Sequence, residues 1–182
     1  MTFIIENIKS RKQLTSYTCG IAVLRTIFLY YGKNVHEKTL VKKGSITSDL
    51  GTSHKQICYL ANLYKFKGYS KRNSNIEEIE GWVRKNVPVI VNYQDGNNNG
   101  NNGHYSVVIG FNKRWLYLAD PSNYYEGDYK KYSNVKRILK SVFLIRWWDI
   151  DSKYYIKENN NLSKEHIIKN WICVIRPKKN KK

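Results

Sequence analysis

The sequence predicts an α+β domain in which helices come first and a largely antiparallel sheet follows. Three observations lead there. Residues 20 to 31, "GIAVLRTIFLYY", carry one charge and are apolar nearly all round the helical period, as a buried helix is. Further stretches with helical spacing and N-terminal caps follow. From residue 87 onward the period changes, and short β-branched or aromatic runs alternate with turn residues.

Each element has its own signal. Gly32 is placed to cap the first helix, and a second helix is expected over about 35 to 43. "GTSHKQICYLANLYKF" offers Thr52 or Ser53 as N-cap and apolar residues at 57, 60, 61 and 64. "NIEEIEGWVRKN" opens on Asn75 as a cap, with two glutamates where the helix dipole favours them. "VPVIVNY" (87–93), "HYSVVIGF" (104–111) and "RWLYLAD" (114–120) read as strands. "SVFLIRWW" (141–148) and "WICVIRP" (171–177) read as two more, with "SKEHIIKN" as a short helix between them. "DGNNNGNNG", residues 95–103, is too polar and glycine-rich for anything but a mobile loop. No repeat or linker interrupts the chain, so residues 1–182 are expected to form one domain.

Composition narrows the function classes. At 41% apolar residues the chain is not intrinsically disordered. No apolar run approaches the roughly 18 residues of a membrane span. The opening "MTFIIENIKSRK" has only a three-residue apolar stretch, where a signal peptide needs about seven. A cytoplasmic protein without a membrane span is therefore expected. Lys and Arg number 32 against 14 Asp and Glu, a net +18 that implies weak polyanion binding. The charge is spread along the chain, and no zinc-finger, RNP-type or helix-turn-helix signature makes a nucleic-acid binder of it. The tail "RPKKNKK" reads as a frayed, solubilising C-terminus. Cys19, Cys58 and Cys173 are odd in number and form no CxxC pair. That excludes a zinc ribbon and a disulfide framework. Neither metal nor cofactor is expected.

One of these thiols stands apart. Cys19 precedes the apolar helix, where free N–H groups and the positive dipole end favour thiolate over thiol. It is expected to be the most reactive of the three. Gly20 beside it allows another backbone to approach closely. A buried structural cysteine would look the same at this position alone. A thiolate nucleophile needs a base. His36 falls in a loop or first helical turn, and His166 on a solvated helix face. His54 lies four residues before Cys58; the two could grip a metal, but no further ligand accompanies them, and an ordinary exposed histidine is the plainer reading. His104 opens a strand directly after Gly103 and the flexible loop. Sixteen residues on, Asp120 ends the next strand, where its carboxylate would reach back to fix the imidazole. A plain strand-ending Asp-Pro turn is the alternative. Gln13 offers an amide to an oxyanion, or is a surface glutamine.

Taken together, Gln13, Cys19-Gly20, Gly103-His104 and Asp120-Pro121 form an ordered set. The chain resembles the papain-like cysteine peptidases that process bacteriocin leaders at double-glycine sites. The resemblance is carried by "QLTSYTCGIAVLRTIFLYYG", "GTSHKQICYLANLYKF", "GHYSVVIGF" and "LADP", over residues 13 to about 122. Residues 123–182 add C-terminal strands, a helix and the basic tail. The family often has an acidic residue before the cysteine, where this chain has Thr18. Its best-known members belong to membrane exporters, so this chain looks like a stand-alone form without a transporter.

The resemblance implies a papain-like fold and a peptidase acting through Cys19, His104 and Asp120, with Gln13 and the Cys19 N–H binding the oxyanion. It implies a peptide or protein substrate, for example a leader peptide, cut after small residues such as Gly-Gly. Tyr17, Gly103 and Tyr105 flank the reacting groups and are candidates for lining the substrate groove, although such tyrosines also commonly point into the core. Two other classes stay open: a papain-like deamidase, acyltransferase or deconjugating thiol enzyme, and a non-catalytic peptide-binding module on the same fold.

Overall fold

Among the described residues, seven strands pair antiparallel in one sheet, and helices cover both of its faces. The computed structural model describes residues 1–96, 103–122, 135–150 and 167–178. In chain order the elements are β1 (Phe3–Ile4), α1 (Cys19–Tyr30), α2 (Glu37–Gly44), α3 (His54–Leu63), β2 (Phe66–Lys71), α4 (Ile76–Val83), β3 (Val89–Gln94), β4 (Gly103–Phe111), β5 (Trp115–Ala119), β6 (Lys136–Leu139), α5 (Lys140–Arg146), β7 (Trp148–Ile150), β8 (Ile167–Lys169) and β9 (Ile172–Pro177). The main sheet runs β2-β9-β3-β4-β5-β6, with β1 paired to the end of β4, while β7 and β8 form a separate ribbon.

The central strands explain the continuous apolar runs. In β3, Val89, Val91 and Tyr93 join the core under α4 and α5, while Ile90 joins the core under α1 and α3. Cys173 and Ile175 of β9 go the second way, Ile172 and Val174 the first. A strand buried on both faces has no polar side to alternate with.

α1 is the central helix, with Ile21, Ala22, Val23, Leu24, Ile27 and Phe28 fully buried. It ends in a Schellman motif: Gly32, at φ +78, donates to Leu29 O and Lys33 N donates to Phe28 O. Its one charge, Arg25, pairs with buried Glu37 of α2 at 2.8 Å. Glu37 also accepts the main-chain N–H of Leu14 at 3.0 Å, tying the segment before Cys19 to the helix core. Losing one partner of such a pair typically costs about 3–5 kcal/mol.

Several expectations are corrected. Strands β1 and β2 lie where none was read. In β2 only Phe66 is buried, so this edge strand has no alternation to recognise, and Lys67 and Lys71 guard its open side. "SVFLIRWW" is mostly helix α5: Phe143 and Trp147, four apart, pack with tilted rings at 4.9 Å and Phe143 meets Tyr93. Leu144 and Ile145 stay exposed. A short apolar run does not itself reveal its period. In "SKEHIIKN", residues 167–169 are strand β8, and the rest of the expected helix, His166 included, lies outside the described residues apart from Asn170. So do residues 97–102 of the asparagine loop and the last four residues of the tail. Among the described residues, no helix is long and apolar enough to cross a membrane.

Candidate active site

Cys19 is the first residue of α1 and is a free, buried thiol. Thr18, the N-cap, does not cap the helix with its side chain. Its hydroxyl turns back, meeting Thr15 Oγ1 at 3.1 Å and accepting from Thr15 N at 3.2 Å. The first N–H groups of α1 are therefore left without a threonine cap beside the sulfur.

The second motif is what seats this helix end. A Cβ on Gly20 would lie 2.6 Å from Thr52 Cβ. The close approach expected at Gly20 is thus made by a side chain rather than by another backbone. Gly51 takes φ +58, next to the Tyr17 carbonyl. Ser53 closes a capping box with Gln56 at the start of α3. Of the two expected caps, Ser53 is the cap and Thr52 the spacer against α1.

β4 brings in the imidazole and β5 the carboxylate. Val107 pairs with Ala119, so the chain leaving β5 carries Asp120 back along β4 toward its first residues. His104 Nε2 lies 2.9 Å from Asp120 Oδ1, both groups buried. Cys19 also acts on the His104 ring, through hydrogen bonding and charge. With Nε2 committed to Asp120, Nδ1 is the ring atom left for sulfur. Burial alone would lower the imidazole, but hydrogen bonds to Asp120 and Cys19, and their charges, reverse this and raise its pKa to about 10. Burial alone would raise the Asp120 carboxyl. Hydrogen bonds from His104 and Ser122, with the charges of His104 and Lys136, outweigh that and hold it well below the usual carboxylate range.

Asp120 has more support than the sequence suggested. Oδ1 accepts from Ser122 N at 2.9 Å and from Ser122 Oγ at 2.6 Å. Oδ2 accepts from Tyr93 Oη at 3.2 Å and lies 3.3 Å from Lys136 Nζ. Lys136 in turn bonds Tyr93 Oη at 3.0 Å and Asp95 at 2.9 Å. Ser122 had a local signal, since an Asp two residues upstream commonly accepts from such a residue. Tyr93, Asp95 and Lys136 arrive through long-range pairing and had none. Asp95, His104 and Asp120 together offer three atoms suited to a metal. Lys136 already balances the two carboxylates there.

Gln13 sits at the same end of the sheet. Its main-chain N–H donates to Pro121 O at 3.1 Å. One side-chain N–H is used by Thr15 O at 2.8 Å, and buried Oε1 has no partner among the described residues. A cavity of about 550 Å³ opens beside Cys19, and Tyr17, Gly103 and Tyr105 line it. Tyr105 is also core, only 4% exposed and edge-on to Trp171 at 5.8 Å. Gly103 packs against a neighbouring carboxylate: a Cβ there would lie 2.5 Å from Asp149 Oδ1, which would have to shift. His36 is the exposed N-cap of α2. His54 is not the ordinary exposed histidine expected. It stacks on Trp171 at 4.0 Å, while Cys58 turns to Cys173, so the two do not converge on a common metal.

Three comparisons bear on this arrangement. Residues 5–155 match the group described as "Peptidase_C39 like family". An uncharacterized protein of Methanothermobacter thermautotrophicus is 32% identical over 110 residues, covering 60% of this chain and 69% of that protein. The peptidase domain of Streptococcus ComA, a bi-functional ABC transporter of a quorum-sensing pathway, superposes with a TM-score of 0.66 at 21% identity. That match covers 94% of this chain and all of that domain. A double-glycine motif protease from an AMS/PCAT transporter, solved with its leader peptide, superposes at 0.63 with 16% identity. It covers 97% of this chain and 95% of the other. At such identities these structures show a shared fold, papain-like and mixed helix with antiparallel sheet.

Proposed function

The chain belongs to the Peptidase C39-like family, and from that premise we propose that it is a cysteine peptidase whose nucleophile is Cys19. In this reading Cys19 sulfur attacks the scissile carbonyl carbon, and the C=O electrons move onto oxygen. The Cys19 N–H and the remaining Gln13 side-chain N–H receive that oxyanion. His104, protonated at rest, gives its proton to the leaving amine as the C–N bond breaks. Water then attacks the thioester, giving one proton to His104 and releasing the new carboxyl end and Cys19. Asp120 holds the ring in place and balances its charge. Tyr93, Ser122 and Lys136 are positioning residues that hold Asp120.

The observation that carries this reading is the buried His104–Asp120 pair, Nε2–Oδ1 at 2.9 Å, with Cys19 acting on the same ring. It changes one expectation. With its pKa raised to about 10, the imidazole starts as an acid rather than a base.

The substrate is a peptide cut after Gly-Gly or Gly-Ala. Tyr105 is buried and braced, so the cavity wall it forms beside Cys19 yields little to a branched side chain. A small misplacement of the carbonyl is costly to attack. The test is a peptide library varied at the two positions before the bond and read by mass spectrometry. Cleavage after Gly-Gly and Gly-Ala, with almost none after Leu or Phe, is expected. Preference for bulky residues would overturn the substrate assignment.

A further inference from the structure

A second cavity, about 370 Å³, opens between the first turns of α3 and the end of β2, with Cys58 and Trp171 in its wall. Cys58 is half-buried in its wall, and Cys173 lies fully buried behind it. Their sulfurs are 3.9 Å apart and both are free thiols. The approach is built into the fold. α3 lies on β2, and Cys58 packs over Gly68, where even a Cβ would sit in ordinary contact, 3.6 Å from Sγ. Two residues along β2, Ser70 pairs across to Cys173 in β9. Neither sulfur belongs to the catalytic set.

We propose that Cys58 and Cys173 are a peroxide-reactive dithiol, a modification site in which Cys58 is attacked first and Cys173 resolves it to a disulfide. Three features support the division of labour. Cys58 faces the cavity and Cys173 does not. Lys55, Lys71 and Arg72 line the same cavity, which favours an anionic sulfur there. Hydrogen bonding with Cys173, opposed by burial and helped by Ser70, lowers the Cys58 thiol to about 7 and raises that of Cys173 well above its usual value.

The chemistry balances with hydrogen peroxide as oxidant. Cys58 sulfur attacks one peroxide oxygen, an S–O bond forms, and the O–O bond breaks to leave hydroxide. Hydroxide takes the Cys173 proton and becomes water. Cys173 sulfur then attacks the Cys58 sulfenic sulfur, forming S–S and expelling a second hydroxide, which the solvent protonates. Two thiols lose two electrons and the peroxide gains them. The bond joins α3 to β9, so it fastens the helix whose first turn, through Ser53 and His54, walls the active-site cavity.

The experiment treats the full chain, folded, with hydrogen peroxide and maps its peptides without reduction. Expected are a Cys58–Cys173 peptide lighter by two hydrogens, its loss on adding dithiothreitol, and a melting temperature raised by several degrees. Cys58→Ser should leave Cys173 as a thiol. Cys173→Ala should trap Cys58 as a sulfenic acid that dimedone labels. A wild-type chain in which Cys58 carries sulfenic or sulfinic acid without the link would overturn the proposal. So would a Cys58–Cys19 bond, or an unreacted Cys58 while free cysteine in the same tube is consumed. None of these readouts depends on peptidase activity.

Discussion

On burial His104 loses water, and Asp120 and Cys19 replace it. The sign of the consequence follows from the direction of the shift. The imidazole rises from 6.5 to about 10 in the folded chain. Its pairing therefore contributes fully to stability below about pH 6.5 and is lost as pH rises through about 10. Asp120 is depressed, so its contribution is full above the ordinary carboxylate range and is lost as pH falls through the lowered value. Activity should follow the first of these. The basic limb of kcat/KM is expected near pH 10, because in the proposed mechanism the leaving amine takes its proton from the imidazolium. Asp120→Asn should move that limb downward, since an amide supplies neither the charge nor the same acceptor. A wild-type limb near 6.5, or one that Asp120→Asn leaves in place, would contradict the assignment.

Close contacts help to seat the elements that carry the site. α1 reaches its position because Gly20 accepts Thr52, and the 2.6 Å that a Cβ would leave is far inside contact distance. Gly20→Ala should therefore destabilise the fold by about 1–3 kcal/mol, read as a shift in urea midpoint at constant slope. Adding Thr52→Ala should return part of the loss. A single variant as stable as wild type would remove Thr52 as the spacer. The same elements show what a sequence can reveal. α1, α3, α4, β3, β4 and β5 announce themselves through caps, periods and turn residues, and Cys19, His104 and Asp120 sit at their ends. β2 is silent because one residue in six is buried, and α5 was mistaken because its apolar residues are contiguous. Tyr93 and Lys136 reach Asp120 from 27 and 16 positions away. Only the sheet registry, which depends on all strands at once, brings them together.

Across the whole molecule a net charge of +18 is expected to set how partners arrive rather than what happens at Cys19. For an acidic peptide substrate, KM should rise steeply as salt goes from about 0.02 to 0.15 M, while single-turnover cleavage of bound peptide stays nearly constant. A chemical step that collapsed with salt would contradict this division. Charge also bears on which thiol reacts. Cys19 was expected to outpace both other thiols, yet Cys58 is half-buried and lowered to about 7. Iodoacetamide alone therefore does not single out the nucleophile. A peptide electrophile ending in Gly-Gly does, because it must dock as substrate before it reacts. Incubated with the full chain and mapped by mass spectrometry, it should modify Cys19, react far more slowly with His104→Ala, and leave Cys19→Ala unlabelled. Modification at Cys58 instead, or equal labelling of Cys19→Ala, would contradict the account.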